Sequence, residues 1–492
     1  MGKITTWRTA WSTEEEAHRF VVYNPKNDTP YAIVQGCGAE GVDACVRAAD
    51  EAFHKVWKPL SPHERGVYLK KAAQALRAQA QLIAQIETEE EGKPLDVSMN
   101  DVRRCCEAFD FFGGIIGNLP GDFYELGPIN AEIYMEPFGV VAGIIPFNWP
   151  PLHTGAKIAP ALAAGNTIVI KPGEQAPLSV MKIVETVQSV LPPHVLELVV
   201  GPGLETGVAL TSHPLVRKIS FTGSDNGGRA IIKQSADNLT PCIMELGGKN
   251  AFIALADCDL DKAVNTAFEG AFYNCGEACT ATSRILVDRK ILAPFTEKFI
   301  ALMDRLVLGD GMDPHTNMGP MVTRAHQQKV LSYIETGKQE GAKIARQLPV
   351  PAEGELANGY FVGPTLFTDV TRNMRIAREE IFGPVTCIMP FDGDEEAASI
   401  ANDTDFGLIA VVFSESHTRA MRMVRQLDTG SVYINNFYRL GAQCVPFGGN
   451  KASGYGRERC AETLHEFSRP KTVRIPSGLG EIPVWKPLKS AD

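Results

Sequence analysis

Short apolar runs alternate with helix-like segments along residues 139–247 of the chain. The apolar runs lie in VVAGIIPFNWP, NTIVIKP, VLELVVG, VRKISFTGS and PCIMELGG, and segments such as APLSVMKIVETVQSVL separate them. Strands that alternate with helices in this way predict a parallel sheet with helices on both faces, a doubly wound α/β fold. Such sheets bind ligands beyond the carboxyl ends of their strands.

The segments on either side of this unit predict further elements. Residues 17–35 are expected to form short strands, because Asn-Pro and Asn-Asp-Thr-Pro punctuate an apolar stretch. A long Ala-rich helix is predicted from Ser61 to Gly92, with a helix cap at Ser61-Pro-x-Glu64. The next helix is predicted to end at Gly113-Gly114. Residues 248–446 alternate again, which predicts a second α/β unit.

Two further segments have the character of β-structure outside these units. Residues 120–140 look like a hairpin around Gly127-Pro128, and the tail KTVRIPSGLGEIPVWKPL is strand-like and rich in proline. We expect the tail to pair with the hairpin near residues 125–138, either within one chain or in another subunit.

Gly36, Gly38 and Gly41 match the GxGxxG fingerprint of a dinucleotide-binding turn. That fingerprint requires a second parallel strand, with an acidic residue, after the helix that it opens. Here helix follows helix instead, beginning with the amphipathic VDACVRAADEAFHKV. We therefore interpret the three glycines as turn residues.

Composition and charge narrow the class of protein. A chain of 492 residues is too long for one ordinary core, so two or three domains are expected. Its 44% hydrophobic and 22% charged residues are typical of a soluble globular protein. The net charge of −10, without a basic stripe, argues against a nucleic-acid partner. The apolar stretches are too short and too interrupted to predict a membrane span, and no signal peptide is recognised at the N-terminus.

The cysteines indicate a reducing compartment. Eleven of them are scattered along the chain, an odd number that argues against a disulfide framework, and we expect a cytoplasmic protein. Neither a CxxC pair nor an HExxH helix occurs, so no metal site is predicted.

One cysteine stands in a setting that suits a nucleophile. In FYNCGEACTATSR, Cys279 is flanked by the small residues Ala278, Thr280 and Ala281. A lone cysteine is more often a buried, inert thiol, so the interpretation depends on the residues elsewhere in the chain. Glu245 stands upstream in MELGGKN, after an apolar strand and before two glycines, which is a poor setting for a solvated surface carboxylate.

Seven motifs in order carry a resemblance to a known family. They are Pro146–Pro150 (PFNWP), Lys171–Glu174 (KPGE), Phe221–Ser224 (FTGS), Glu245–Lys249 (ELGGK), Cys279, Glu380–Pro384 (EIFGP) and Pro446–Gly454 (PFGGNKASG). In order and spacing they resemble the aldehyde dehydrogenase superfamily over residues 20 to 475. The resemblance implies an NAD-binding domain (1–122 and 140–247), a catalytic domain (248–468) and an oligomerisation arm (123–139 and 469–492). It also implies a homodimer or homotetramer.

The chemistry of aldehyde oxidation explains the residue types. A free aldehyde carries no oxyanion from which hydride could leave, so a nucleophile must add first, and a thiolate does this well. By resemblance Cys279 is that nucleophile, and Asn148 donates to the oxyanion together with the backbone N–H of Cys279. The thioester that remains must be hydrolysed, for which Glu245 is the candidate base. Lys157 and Glu458 are expected to assist proton transfer.

The resemblance also implies the cofactor contacts. A carboxylate at Glu174, just after a strand, would bond both ribose hydroxyls of adenosine and repel a 2′-phosphate. NAD is therefore favoured, with NADP as the alternative because Lys171 would partly offset that repulsion. The full set of implied cofactor residues is Ile144, Pro146, Phe147, Lys171, Glu174, Gly203, Gly207, Phe221, Gly223, Ser224, Leu246, Glu380 and Phe382.

The substrate tunnel implied by the resemblance departs from many relatives. Ala156 and Gly441 stand where many relatives carry large aromatic residues, so we expect a wide tunnel and a bulky, aromatic or long-chain aldehyde. Arg439 would instead favour a polar or carboxylated aldehyde. The implied tunnel residues are Trp149, His153, Ala156, Phe272, Tyr273, Ala278, Thr280, Leu440, Gly441 and Phe447. A CoA-acylating enzyme and a catalytically silent structural homologue remain as alternatives.

Overall fold

The chain begins with a small β-sheet. The structure, a computed structural model, describes residues 4–118, 120–437 and 443–482. Strand β1 (Thr5–Arg8) pairs in parallel with β3 (Thr29–Gln35), and β2 (Arg19–Asn24) pairs with β3 in antiparallel register. These strands confirm the prediction for residues 17–35.

Four helices follow this sheet. They are α1 (Ala39–Ala52), α2 (Pro62–Ala78), α3 (Ala80–Glu91) and α4 (Leu95–Ile115). Gly36 and Gly38 lie in the turn before α1 as expected, whereas Gly41 lies inside the helix. Because β3 belongs to the small sheet, the β3–α1 unit is not a dinucleotide-binding βαβ unit.

Two helix predictions were wrong in their bounds. The single long helix from Ser61 is divided, because Gln79 (φ −107°, ψ 5°) leaves the helical conformation between α2 and α3. The next helix does not end at Gly113. There a Cβ atom would lie 3.1 Å from the Cβ of Leu69 in α2, so the glycine serves the close approach of two helices. The predicted cap at Ser61 is confirmed, since Ser61 and Glu64 bond each other's backbone N–H groups.

The predicted hairpin is present ahead of the main sheet. Strands β4 (Asp122–Glu125) and β5 (Ile129–Pro137) form it in antiparallel register. The main sheet then contains β6 (Val140–Ile145), β7 (Thr167–Pro172), β8 (Leu196–Leu198), β9 (Val216–Thr222) and β10 (Cys242–Glu245). All five are parallel, in the order β10-β9-β6-β7-β8.

Helices cover both faces of this sheet. They include α5 (Pro150–Ala163), α6 (Leu178–Gln188), α7 (Val208–Thr211) and α8 (Asp225–Ser235). Val141 packs in the core beneath α2 to α6, while its neighbours Val140 and Ala142 pack in the core beneath α1, α7 and α8. This alternation places both faces of the sheet away from water, as the apolar runs predicted.

A second, seven-stranded sheet follows. Its strands are β11 (Ala251–Ala254), β12 (Arg284–Asp288), β13 (Lys343–Gln347), β14 (Thr365–Thr368), β15 (Val385–Phe391), β17 (Ile409–Phe413) and β18 (Ser431–Ile434). The order is β13-β14-β15-β12-β11-β17-β18, parallel except for β13. The short strands β16 (Phe406–Gly407) and β19 (Asn450–Lys451) pair with each other.

Helices cover the second sheet as well. They are α9 (Leu260–Phe272), α10 (Leu292–Met303), α11 (Arg324–Gln339), α12 (Arg375–Arg378), α13 (Asp394–Asn402) and α14 (His417–Val424). Strand β20 (Gly454–Tyr455) then returns to the first sheet, where it pairs antiparallel to β10. This return brings the segment around Glu458 next to the end of β10, where Glu245 lies.

The end of the described chain completes the hairpin. After α15 (Thr463–Glu466), β21 (Ser468–Pro476) pairs with β5 over its whole length, from Ser468 opposite Pro137 to Pro476 opposite Ile129. The predicted pairing of tail and hairpin is therefore confirmed, and it occurs within one chain. In the described ranges no helix is long and apolar enough to cross a membrane.

Candidate active site

Cys279 lies in a tightly folded loop between α9 and β12. Asn274 and Cys275 both have positive φ (53° and 57°), and Gly276 follows at 70°. A Cβ atom at Gly276 would lie 2.3 Å from the carbonyl oxygen of Gly383, so only glycine fits there. Consecutive left-handed residues store strain, which proteins retain mainly at functional sites.

The loop is held from behind by one amide. Asn250 donates from Nδ2 to the carbonyl oxygens of Cys279 (2.7 Å) and Ala281 (2.9 Å). The flanking residues Ala278 and Thr280 are buried, whereas Cys279 itself is partly accessible and lines a cavity of about 170 Å³. In contrast, burial raises the pKa of the Cys275 thiol well above its ordinary value.

Asn148 lines the same cavity as Cys279, just before α5. Its side chain donates from Nδ2 to the carbonyl oxygen of Glu277 at 2.9 Å, which fixes it against the cysteine loop. A primary amide carries two N–H donors, so the second one can serve an oxyanion. The carbonyl oxygen of Asn148 accepts from Lys93 Nζ (2.7 Å) and from Asn274 Nδ2 (3.0 Å).

Lys93 belongs to a buried charge cluster that the sequence did not predict. Its ammonium lies 2.8 Å from Glu87 Oε1 and 2.9 Å from Asp101 Oδ2, and all three side chains are at most 2% exposed. Burial lowers the pKa of Lys93, but the carboxylates of Asp101, Glu87 and Glu91 outweigh it and hold that pKa well above its ordinary value. Lys93 is therefore a fixed cation behind Asn148.

Glu245 ends β10 with its carboxylate buried. Among the described residues neither carboxylate oxygen has a hydrogen-bond partner, and a Cβ atom at Gly448 would lie 2.8 Å from Oε1. Burial, together with the neighbouring carboxylate of Glu458, raises the pKa of Glu245 well above its ordinary value. Such a carboxyl group is poised to accept or release a proton.

A hydrogen-bonded network lies beside Glu245. Lys157 Nζ is 3.0 Å from Glu458 Oε1 and donates at 3.0 Å to the hydroxyl oxygen of Ser220 on β9. The Ser220 hydroxyl in turn donates to Glu458 Oε1 at 3.3 Å. Lys157 and Glu458, which the sequence analysis placed together by resemblance, are thus neighbours and fully buried.

Several of the predicted cofactor residues converge on the cavity beside Cys279. Its lining includes Pro146, Phe147, Gly223, Ser224, Leu246, Glu380 and Phe382. Glu380 Oε1 accepts from the backbone N–H of Gly248 at 2.9 Å, and burial raises the pKa of Glu380 to about 7. A Cβ atom at Gly247 would lie 2.4 Å from this carboxylate, so the glycine pair after Glu245 leaves it room.

His326 on α11 is a residue of this cavity that sequence reasoning missed. Its Nε2 donates to the carbonyl oxygen of Phe382 at 2.6 Å, and its ring packs edge-on against Phe147. Phe382 has a positive φ of 62°, which is unusual for an aromatic residue. Burial lowers the pKa of His326 to about 4, so its ring is neutral at pH 7.

The remaining predicted cofactor residues lie at or just beyond the carboxyl ends of β6, β7, β8 and β9. Lys171 Nζ is 3.6 Å from Glu174 Oε1. A Cβ atom at Gly203 would lie 3.5 Å from Glu174 Oε1, and one at Gly207 would lie 3.6 Å from Lys171 Cε. Ile144 pairs with Phe221 across neighbouring strands. At this end of the sheet one group of neighbouring residues therefore lies next to Ile144: Lys171, Glu174, Gly203, Gly207 and Phe221.

Ser224 caps the start of α8. Its hydroxyl accepts from the backbone N–H of Gly227 at 3.2 Å, and Gly223 lies against the ring of Phe221. The amino end of an eleven-residue helix with free N–H groups favours a phosphate.

A larger cavity, of about 610 Å³, borders the cysteine loop at Tyr273 and Thr280. Trp149, Tyr273, Thr280 and Phe447, which were predicted as tunnel residues, line it. His153 lines the smaller cavity with Cys279, while Ala156 and Phe272 are buried. Leu440, Gly441 and Arg439 lie outside the described residues. Sequence reasoning missed the lining residues Asn100, Asp101, Arg104, Tyr433 and Arg459.

Comparison with known proteins decides the family. The profile of the aldehyde dehydrogenase family matches residues 11–473 of the chain. The chain belongs to this family. "Aldehyde dehydrogenase citD" of Monascus ruber is 47% identical over 477 residues, which is 96% of this chain and 94% of that protein. A betaine aldehyde dehydrogenase of Sinorhizobium fredii is 41% identical over 90% of this chain and 91% of its own.

Solved structures agree with this assignment. Betaine aldehyde dehydrogenase of Staphylococcus aureus in complex with NAD⁺ superposes with a TM-score of 0.92 and 34% identity, covering 95% of this chain and 93% of that chain. The NAD⁺ complex of an aldehyde dehydrogenase from Bacillus cereus gives a TM-score of 0.91 and 37% identity, with 93% of each chain covered. The predicted α/β fold class is therefore confirmed.

This aldehyde dehydrogenase oxidises aldehydes with NAD⁺, as the family and the NAD⁺-bound neighbours show. The described residues fit the cofactor. Glu174 and Lys171 can receive the adenosine ribose, the amino end of α8 can receive the pyrophosphate, and Glu380 can receive the second ribose.

Proposed function

We propose that this aldehyde dehydrogenase converts bulky, aromatic or long-chain aldehydes to carboxylic acids, with Cys279 as its nucleophile. The observation that carries the proposal is the position of the cysteine loop between two cavities. Cys279 lines the smaller one together with Asn148, and its neighbour Thr280 lines the larger one. The larger cavity, of about 610 Å³, is lined by aromatic rings such as Trp149, Tyr273 and Phe447 and has room for a large aldehyde.

In the first step the Cys279 thiolate adds to the aldehyde carbon, and the carbonyl oxygen becomes an oxyanion. The second N–H of Asn148 and the backbone N–H of Cys279 donate to that oxygen. Because Asn148 is held by Glu277 and Lys93 before substrate arrives, little reorganisation is needed as the charge develops.

Bound NAD⁺ would supply the acceptor for the hydride that leaves the tetrahedral carbon, and this carbon would then be part of a thioester with Cys279. The thioester on Cys279 is then attacked by water, whose proton passes to the Glu245 carboxylate, and the C–S bond breaks to release the carboxylic acid and the Cys279 thiolate. The raised pKa of Glu245 makes it a better base than an ordinary carboxylate. Lys157, Glu458 and Ser220 form a hydrogen-bonded network beside Glu245, and we assign the onward transfer of that proton to it.

The preference for NAD over NADP rests on Glu174 in this proposal. Its carboxylate is partly exposed and faces the surface next to Gly203, so it is available to ribose hydroxyls. Lys171, 3.6 Å away, offsets part of its charge, which makes the preference against a 2′-phosphate incomplete.

The arm supports an assembled enzyme, a homodimer or homotetramer in the cytoplasm. Strands β4, β5 and β21 expose Phe123, Tyr124 and Tyr134, and large exposed rings on a small sheet favour a partner surface.

We assign this arm to residues 123–139 and 469–492, the cofactor domain to 1–122 and 140–247, and the catalytic domain to 248–468. None of the eleven cysteines forms a disulfide, which supports a reducing compartment. Light scattering after size exclusion measures the assembly.

The decisive experiment is NADH formation with a panel of aliphatic, aromatic and quaternary-ammonium aldehydes. Turnover by the wild type that is lost in Cys279→Ala supports the assignment. Cys258→Ala is the matched control, since this partly accessible cysteine lies in neither cavity described above. Parallel assays with NADP⁺ and CoA separate the alternatives, because a CoA-acylating enzyme needs CoA for turnover. Absence of turnover with every aldehyde, with or without CoA, contradicts the proposal and favours a silent homologue.

A further inference from the structure

His153 is a buried polar side chain that faces the reaction site without a partner. It lies on α5, is 2% exposed and lines the cavity that also holds Cys279 and Asn148. Among the described residues neither ring nitrogen has a hydrogen-bond partner. Buried polar groups are nearly always paired, so two orphaned nitrogens at a reaction site indicate a bond made by the ligand.

The imidazole of His153 is neutral. Burial lowers its pKa well below the ordinary value, and the cations Arg459 and Lys157 lower it further. A neutral imidazole has one donor nitrogen and one acceptor nitrogen, so it suits a hydroxyl or carbonyl group close to the reacting carbon.

Arg459 presents a second unsatisfied group, on the wall of the larger cavity. Its guanidinium lies over the ring of Phe447, 4.5 Å from the centroid, and its buried Nε has no hydrogen-bond partner among the described residues. Its backbone has a φ of 66°, a conformation that is costly for arginine and is retained mainly at functional sites. The bridge between Phe447 and Glu458 fixes the neighbouring backbone, so the ring and the guanidinium are held together.

The charges on the cavity wall are predominantly positive. Arg459 and Arg104 both line the larger cavity, and the carboxylate that joins them there, Asp101, is already paired with Lys93 at 2.9 Å. Arg104 is paired with Glu107 at 3.0 Å, and Arg459 has a buried Nε that lacks a hydrogen-bond partner among the described residues. A cavity with this balance attracts anions and repels cations. The aromatic wall alone would suit a quaternary ammonium, but at Phe447 the ring face is occupied by Arg459.

We propose that the tunnel selects aldehydes that carry an anionic oxygen, a carboxylate or an ionised phenol, bound by Arg459, and a hydrogen-bonding oxygen near the aldehyde carbon, bound by His153. This inference rests on the proposed function, because it assigns the substrate class of the Cys279 site. The two contacts lie in two cavities that residues of the cysteine loop line, so they recognise two different parts of one molecule.

The test compares kcat/KM for para-carboxybenzaldehyde, for the neutral and similarly shaped para-nitrobenzaldehyde, and for the cationic para-trimethylammoniobenzaldehyde. A charge-assisted hydrogen bond predicts that the anion exceeds the neutral aldehyde by about 10- to 100-fold. We also measure kcat/KM for para-hydroxybenzaldehyde below and above the pKa of its phenol. An increase relative to the neutral aldehyde above that pKa shows that the site accepts a phenolate as well as a carboxylate. The advantage of the anion should shrink as salt is added, whereas kcat/KM for the neutral aldehyde should stay constant.

Arg459→Gln should remove the advantage of the anion over the neutral aldehyde, because it deletes the charge that binds the anion. Arg459→Lys should restore part of the advantage, which protects the test if the Gln variant folds poorly. Arg103→Gln is the matched control, since this exposed arginine precedes Arg104 on α4 and should leave the advantage unchanged. The role of His153 predicts that the wild type has a higher kcat/KM for ortho-hydroxybenzaldehyde than for benzaldehyde. This difference should be lost in His153→Phe.

The outcomes separate the two proposals. Turnover of the neutral aldehyde reports the Cys279 chemistry, whereas the ratio of anion to neutral reports Arg459. Equal use of anionic, neutral and cationic aldehydes, or an equal loss of all three in Arg459→Gln, overturns the inference. If no aldehyde is turned over, calorimetric binding of terephthalate against para-nitrobenzoate still decides it: equal affinity in wild type and Arg459→Gln overturns it, and an anion-specific loss supports it.

Discussion

Lys93 donates a 2.7 Å hydrogen bond from its ammonium to the backbone carbonyl of Asn148, a residue that lines the same cavity as Cys279. The same ammonium is held by Glu87 at 2.8 Å and Asp101 at 2.9 Å. A buried ion cluster thus fixes the backbone of Asn148, the residue that we propose as oxyanion donor. The link connects α3 and α4 to the catalytic chemistry, although neither helix carries a reacting group.

Lys93→Met should destabilise the protein strongly, because it leaves the buried acidic side chains of Glu87, Glu91 and Asp101 without their cation. The expected loss is about 3–5 kcal/mol in the free energy of unfolding, measured by chemical denaturation. Lys338→Met, which removes an exposed partner of Glu335, is the control and should cost less than about 1 kcal/mol. Equal effects of the two substitutions would show that the Lys93 cluster carries no special stability.

The oxyanion role of Asn148 predicts a large loss of rate with little loss of binding. Asn148→Asp keeps the size of the side chain but removes its N–H donors, and it should lower kcat by about 10²- to 10³-fold, as removal of such a donor typically does. Steady-state kinetics with a good aldehyde measures this loss, and NAD⁺ affinity should be unchanged. A fall in kcat smaller than about threefold would exclude Asn148 as a principal donor.

The sequence predicts the strands of the first sheet and the three residues Cys279, Glu245 and Asn148 for different reasons. The strands follow from local apolar runs, which need no knowledge of the rest of the chain. The three residues follow from motifs that occur in a fixed order. The structure brings Asn148 and Cys279 to one cavity, with Glu245 at the end of the adjoining strand β10.

The Lys93 cluster and the tunnel charges could not be predicted in the same way. Lys93 and Asn148 are 55 positions apart in the sequence. The acceptor is a backbone carbonyl, which every residue has, so the residue type at position 148 does not indicate the bond. The acidic run Glu89–Glu91 at the end of α3 has the composition of a solvated helix end, yet Glu90 and Glu91 are buried. The proposed roles of Arg459 and His153 depend on the cavities that they line, and the sequence alone does not reveal these cavities.

Glu174 should control the choice between NAD and NADP. Glu174→Gln removes the charge that would repel a 2′-phosphate while keeping a polar group for the ribose, and Lys171 then remains as a cation nearby. The ratio of kcat/KM for NAD⁺ to that for NADP⁺ should fall by about tenfold or more. The control is Glu185→Gln, an exposed carboxylate on α6 paired with Lys182, which should leave the ratio unchanged. An unchanged ratio in Glu174→Gln would place cofactor discrimination elsewhere.

Glu245→Gln should stabilise the protein, and the gain should depend on pH. Burial, and then the carboxylate of Glu458, raises the pKa of Glu245 well above its ordinary value in the folded state. In the unfolded chain the carboxyl group ionises near pH 4.3. Between these two pKa values the unfolded state has released a proton that the folded state keeps, so the free energy of unfolding of the wild type falls as pH rises.

Glutamine does not titrate, so the variant escapes this loss. The difference in Tm between Glu245→Gln and the wild type should therefore be near zero at acidic pH, grow above about pH 4.3 and level off above the folded-state pKa. Thermal unfolding across this range measures it, with Glu415→Gln, an exposed carboxylate at the end of β17, as the control that should show no such trend. A constant difference at all pH values would mean that Glu245 ionises normally in the fold, and its role as a base with raised pKa would then be wrong. A difference in Tm that grows with pH, together with loss of turnover in Glu245→Gln, would show that the burial of Glu245 lowers the stability of the fold and raises the basicity of its carboxylate.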